Sequence, residues 1–176
     1  MRNLGARMSD ALAAALTADL EIVLRLFCGM LAGIVVGWER TLKQSYAGIR
    51  TFGLVGLGTA TAAAIFSAAT EGDEASRVVQ GILTGVGFLG AGVITIARTT
   101  AEIKAGENGG PEKKDREMHA RGPSGLTTAA AIWVTAALGC AAGLGDFHLA
   151  IIGAGLALVL LVVDHSIERL AGRRRN

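Results

Sequence analysis

Apolar residues fall into five long blocks, about 20–38, 51–70, 78–97, 126–145 and 147–164, with polar connections between them. Some 20 residues of helix rise about 30 Å, the hydrocarbon thickness of a bilayer. Lipid offers no partner to a free N–H or C=O, so each block is expected to cross as a helix that pairs its own backbone. Only Gly145 and Asp146 mark the break between the last two blocks, which predicts an antiparallel hairpin there. The expected fold class is therefore all-α: a polytopic integral membrane protein of about five transmembrane helices.

The third block carries Gly81, Gly85, Gly87, Gly90 and Gly92 in the run GILTGVGFLGAG. In water five glycines would each cost a helix about 1 kcal/mol relative to alanine. In lipid they permit close approach of neighbours instead. The first block repeats the theme with Gly29, Gly33 and Gly37 on one face. These two glycine strips, together with Trp133 deep in the fourth block, predict a meeting line of spans one, three and four, with the third helix central and continuous. On that expectation a bulky residue at Gly85 or Gly92 disrupts folding. A helix unwound at its glycines to coordinate an ion is the alternative.

Composition agrees with a membrane chain: 51% of the 176 residues are hydrophobic, 18% are charged, and mean hydropathy is +0.47. Little is left for a separate soluble domain. The net charge of +2 gathers on no amphipathic face, so no nucleic-acid partner is expected. Cys28 and Cys140 sit inside apolar blocks and read as small hydrophobes. No cofactor or metal is expected, because no CxxC or HExxH occurs and the three histidines are scattered.

Arginine and lysine decide the expected orientation. Thirteen, from Arg40, Lys43 and Arg50 through the 99–124 connection to the arginines of the tail, fall on one side; Arg2, Arg7 and Arg77 fall on the other, with Arg25 inside the first span. This places the N-terminus outside and the C-terminus in the cytoplasm. The run 20–37 is long for a signal core and lacks a small-residue cleavage pattern, so it is expected to be retained. The expected parts are an extracytoplasmic segment at 1–19, a membrane domain at 20–164 with a mobile cytoplasmic loop at 99–124, and a basic cytoplasmic tail at 165–176.

Polar residues near the span ends are the candidate functional positions. Arg25 either pairs with Glu21 one turn away and snorkels outward, or serves an interior site on the glycine face. Gln80 and Thr84 share one face and suit an interhelical hydrogen bond; with Arg25, Asp146 and Arg77 they could also line one outward-facing cavity. At the other end Glu39, Arg40, Arg50, Thr51, Thr127 and Thr128 gather, and Glu39 is expected near the N-terminal ends of spans two and four, paired with Arg50. Acidic residues occur only near span ends, which argues against a direct path for divalent cations. No P-loop, nucleophile elbow or catalytic carboxylate pair appears, so an enzyme is not expected.

Four stretches, GIVVGWER at 33–40, AGIRTFGLVGLGTA at 47–60, VQGILTGVGFLGAGVI at 79–94 and GLTTAAAIWVTAALGCAAGLG at 125–145, resemble the MgtC/SapB family of bacterial membrane proteins. The resemblance implies an inner-membrane protein linked to growth under magnesium limitation and stress and, in pathogens, to survival in macrophages. It implies action on another membrane protein, the ATP synthase or a transporter. Longer members carry a cytoplasmic ACT-like domain, which this chain is expected to lack. The function expected is thus that of a regulatory or interaction protein in the lipid bilayer, with a homodimer as one arrangement; the alternative is a small-solute or ion transporter using polar residues beside the third helix.

Overall fold

The computed structural model describes residues 2–67, 73–108 and 125–173. Five helices account for nearly all of them: α1 Arg2–Leu42, α2 Ile49–Ser67, α3 Asp73–Asn108, α4 Leu126–Gly143 and α5 Phe147–Arg173. No strand occurs among the described residues. Four helices, α1 to α4, are long and apolar enough to cross a bilayer, and α5 contributes a shorter apolar stretch, Phe147–Val163.

Boundaries depart from the apolar blocks wherever polar sequence continues a helix. The expected N-terminal segment 1–19 is, over its described part, one piece with α1, because no proline interrupts it and alanine-rich sequence favours helix. The expected loop at 99–124 is helical as far as Asn108, and the rest of it, 109–124, lies outside the described residues. The expected tail continues α5 to Arg173. The third helix is continuous through all five of its glycines.

Chain reversals use residues suited to them. Gly125 takes φ 91° just before α4, where a side chain would meet the Ala97 Cβ at 2.8 Å. Gly145 takes φ 89° in the turn to α5, closing α4 with its N–H on the Ala142 carbonyl. Asp146 then caps α5, its Oδ1 accepting the Leu149 N–H at 3.0 Å.

The bundle is organised around α4, the one helix that touches all four others. About 67% of its apolar window is buried, against 11% for α3. Alanine, glycine, threonine and cysteine make up most of α4, so neighbours can close on every side of it. This corrects the expectation of a central third helix. α3 packs on α4 and touches α2, but does not reach α1.

The tightest contacts are backbone to backbone. A Cβ added at Gly33 would lie 2.2 Å from the Phe52 carbonyl oxygen, and one at Gly56 2.1 Å from that of Gly29. On α4, Gly143 stands in the same relation to Ala60. In lipid, where apolar side chains gain nothing from meeting each other rather than acyl chains, such close approach is a main source of helix association.

Candidate functional site

Two polar clusters occupy opposite ends of the α1–α2–α4 core, separated along α1 by about 21 Å of helical rise. The first is built on Arg25. Its guanidinium bonds Glu21 one turn back, the Ser67 hydroxyl at 2.8 Å and the Gly143 carbonyl at 3.1 Å. Ser67 is the last described residue of α2 and Gly143 the last of α4, so one side chain from the middle of α1 ties these two points together. Gly143 offers a carbonyl at the negative end of α4, which a cation complements. Arg25 therefore neither snorkels free nor stands alone in an interior site: it ties α1 to α2 and α4.

A groove of about 440 Å³ beside this tie is lined by residues of α1 and α2, among them Glu21, Arg25, Thr61 and Ser67. Gln80 and Asp146 do not line it. Gln80 is exposed on α3, Thr84 donates back to the Gln80 carbonyl at 2.8 Å, and Asp146 is occupied as a helix cap. Arg77 is exposed on α3 as well. The expected common outward cavity does not form, because α3 and α1 lie on different sides of the bundle.

The second cluster centres on Glu39, only 6% exposed, beside Arg40, 5% exposed. Glu39 Oε2 accepts from Arg40 Nε at 2.7 Å. Oε1 meets the Lys43 ammonium at 2.6 Å, an ion contact off the hydrogen-bonding line. Lys43 also donates to the Leu161 carbonyl of α5 at 2.9 Å. Glu39 thus pairs with Arg40 and Lys43, not with Arg50. Arg50 is exposed with no ion-pair partner among the described residues, and Thr51 is exposed beside it. Two cations and one carboxylate leave a net positive charge at the point where α1, its following turn and α5 converge.

Around this cluster hydroxyls tie the turn to the helices. Thr41 Oγ1 donates to the Gly37 carbonyl and accepts the Ile49 N–H at 2.8 Å, holding the start of α2. Ser45 and the buried Thr128 share a 2.6 Å hydrogen bond that fixes the turn to α4. Thr127 is exposed and lines a groove between α4 and α5. Thr41, Lys43, Ser45 and Ser67 were not among the expected positions; of these, Lys43 was legible as the i,i+4 partner of Glu39.

The glycines divide sharply. Gly29, Gly33 and Gly37 are buried against α2. Gly90 makes an ordinary contact with Ala129, whereas Gly81, Gly85, Gly87 and Gly92 have nothing within 4 Å. Trp133, expected against a glycine surface, is 48% exposed on the outside of α4. Among the described residues no three of His, Cys, Asp and Glu come together as a metal site. Cys28 and Cys140 are free thiols.

A family model described as the MgtC family matches residues 26–170. Protein SrpB of Synechococcus elongatus is 39% identical over 89% of this chain and 82% of its own length. "Putative magnesium transporter YhiD" of Escherichia coli is 33% identical over 84% of the chain and 62% of its own. Protein MgtC of Salmonella typhimurium is 34% identical over 88% of the chain, which spans 55% of that protein. No solved structure matches.

Proposed function

The chain belongs to the MgtC family, and from that premise we propose that it is a non-enzymatic regulator that acts by contact with another membrane protein during magnesium limitation and stress. One observation supports this reading above the rest. The core is closed by backbone contacts, while one face of α3 carrying Gly81, Gly85 and Gly92 is left open along the bilayer, where an added Cβ would meet nothing within 4 Å among the described residues. Small residues in lipid let a partner helix approach closely, and this helix has spent little of that surface inside its own chain. The partner is a membrane protein of the ATP synthase or transporter kind. The chain sits in the bacterial inner membrane with its Arg25 end outside and its Glu39 end in the cytoplasm, the arrangement the lysine and arginine distribution calls for.

The test is a pair of variants, Gly85→Leu and Gly92→Leu, in a bacterium that depends on the protein for growth at low magnesium. Both should accumulate in the membrane like the parent and fail to support growth. Normal growth of both would end the contact reading. A second reading, a transporter, draws on the magnesium-transporter name that YhiD carries. Flux of magnesium through the purified protein in sealed proteoliposomes, abolished by Glu39→Gln, would establish it in place of the first.

A further inference from the structure

α1 is far longer than its neighbours require. Arg25 holds Gly143, where α4 ends, and Ser67, the last described residue of α2, while α1 runs on from Glu21 back to Arg2. That extension rises about 29 Å beyond Glu21. Within it Met8, Leu12, Leu16 and Leu20 are exposed.

The same stripe continues into the membrane part. Leu12, Leu16, Leu20, Val23, Phe27 and Leu31 advance in steps of four, four, three, four and four, so they share one side of the helix. All six are between 41% and 63% exposed. Arg25, Gly29 and Gly33 occupy the opposite side and face the bundle. Acyl chains can cover Phe27 and Leu31, but a lipid cannot follow the stripe to Leu12, which stands about 12 Å beyond Leu20 and the hydrocarbon edge. Nor does α1 have a proline or glycine between Ala6 and Cys28 at which it could fold back onto the bilayer surface.

We infer that this stripe is the interface with a second copy of the chain, the two α1 helices running parallel about a two-fold axis along the membrane normal. A second copy supplies a helix of the same length, carrying the same stripe, emerging from the same membrane face, which is what a self-complementary two-fold contact requires. The area suffices. Eleven exposed large apolar side chains, from Met8 to Leu42 without Ile22, lie on this half of α1. At about 100 Å² for a whole side chain they remove roughly 600 Å² per copy from water or lipid, against the roughly 800 Å² per partner of a stable interface. The neighbouring groove between α1 and α5, about 500 Å³, receives the partner's side chains, and its α5 wall, including Phe147, Ile151 and Gly155, adds area outside that sum. The inference is independent of the contact reading above, since that reading uses α3 and this one uses α1.

Single cysteines along the extension test it, in a Cys28→Ala background that keeps the buried Cys140. Under mild oxidation in native membranes, Leu12→Cys, Leu16→Cys and Leu20→Cys should form disulfide-linked dimers in several-fold higher yield than Ala14→Cys and Ala18→Cys on the opposite side. Equal yields on both sides, no dimer at any position, or a product containing a different protein would overturn the interface. A second measurement guards against misfolding: Leu12→Asp with Leu16→Asp changes two side chains that are exposed among the described residues, so membrane levels should hold while the particle mass in nanodiscs falls from two copies to one. A mass of two copies in that variant would also overturn it.

Discussion

α1 and α3 both carry glycines at helix-contact spacing inside a long apolar run, yet the two helices use them in opposite ways. On α1 the glycines disappear against Phe52, Gly53 and Gly56 of α2; on α3 four of five have open space before them among the described residues. The spacing of small residues says that a backbone can be approached, not that it is. What decides is the partner's surface. α2 presents a matching line of Gly53, Gly56 and Ala60, and α4 answers with Gly139 and Gly143. α3 has no such line opposite its own glycines, and Phe88, 81% exposed, and Leu89 stand out among them toward lipid.

The contrast can be broken most forcefully at Gly33. Gly33→Leu should abolish folded protein in the membrane, because the obstacle is the backbone of Phe52 and helix axes must separate, beyond the roughly 1–3 kcal/mol of ordinary overpacking; recovery of normal levels would show that the two strips do not differ. Glu39→Gln comes next. It removes the charge that holds Arg40 and Lys43 and should lower stability by about 1.5–3 kcal/mol, read as a drop in thermal unfolding temperature in detergent. Thr135, fully buried with its hydroxyl unpaired among the described residues, should work the other way, with Thr135→Val raising stability by about 1 kcal/mol. Smallest of all, Gly85→Leu should shift stability by no more than about 0.5 kcal/mol, since the added side chain meets only solvent lipid. A large loss there would mean that α3 is packed after all.

Helix number and order were legible because a bilayer demands long apolar runs, and nothing else in the chain competes with that signal. The identity of the central helix was not. Attention goes to glycine in GILTGVGFLGAG, whereas the surface that neighbours can close around is the plainer, mostly alanine and threonine sequence of α4, whose exposed bulky side chains are Trp133 and Leu126 while Ile132 and Leu138 are buried. Arg25, Glu39, Arg40 and Thr128 sit in the polar clusters, whereas Gln80, Arg77, Arg50 and Thr51 are exposed outside them. Glu39 was matched with Arg50 by proximity of span ends, but Arg40 and Lys43 lie on its own helix and turn, closer than any neighbour could be. Asp146, weighed for an outward cavity, is a helix cap, a role that its place directly before Phe147 would have indicated.

Arg25 and Lys43 have a consequence for how the protein is made. Each reaches a carbonyl 118 residues further along the chain, Gly143 for one and Leu161 for the other. α1 leaves the ribosome first, so both cations enter the bilayer boundary long before these acceptors exist. At 5–20 residues per second the interval is roughly 6–24 s. During it the nascent α1 and α2 hold together through their glycines and through the Arg25–Ser67 and Thr41–Ile49 hydrogen bonds, and completion of α4 and α5 converts a reversible hairpin into a locked assembly. A ribosome that stalls in that interval would leave an unfinished chain whose Arg25 is met by Glu21 and Ser67 but still lacks the Gly143 carbonyl, a mark by which quality control can tell it from the finished protein.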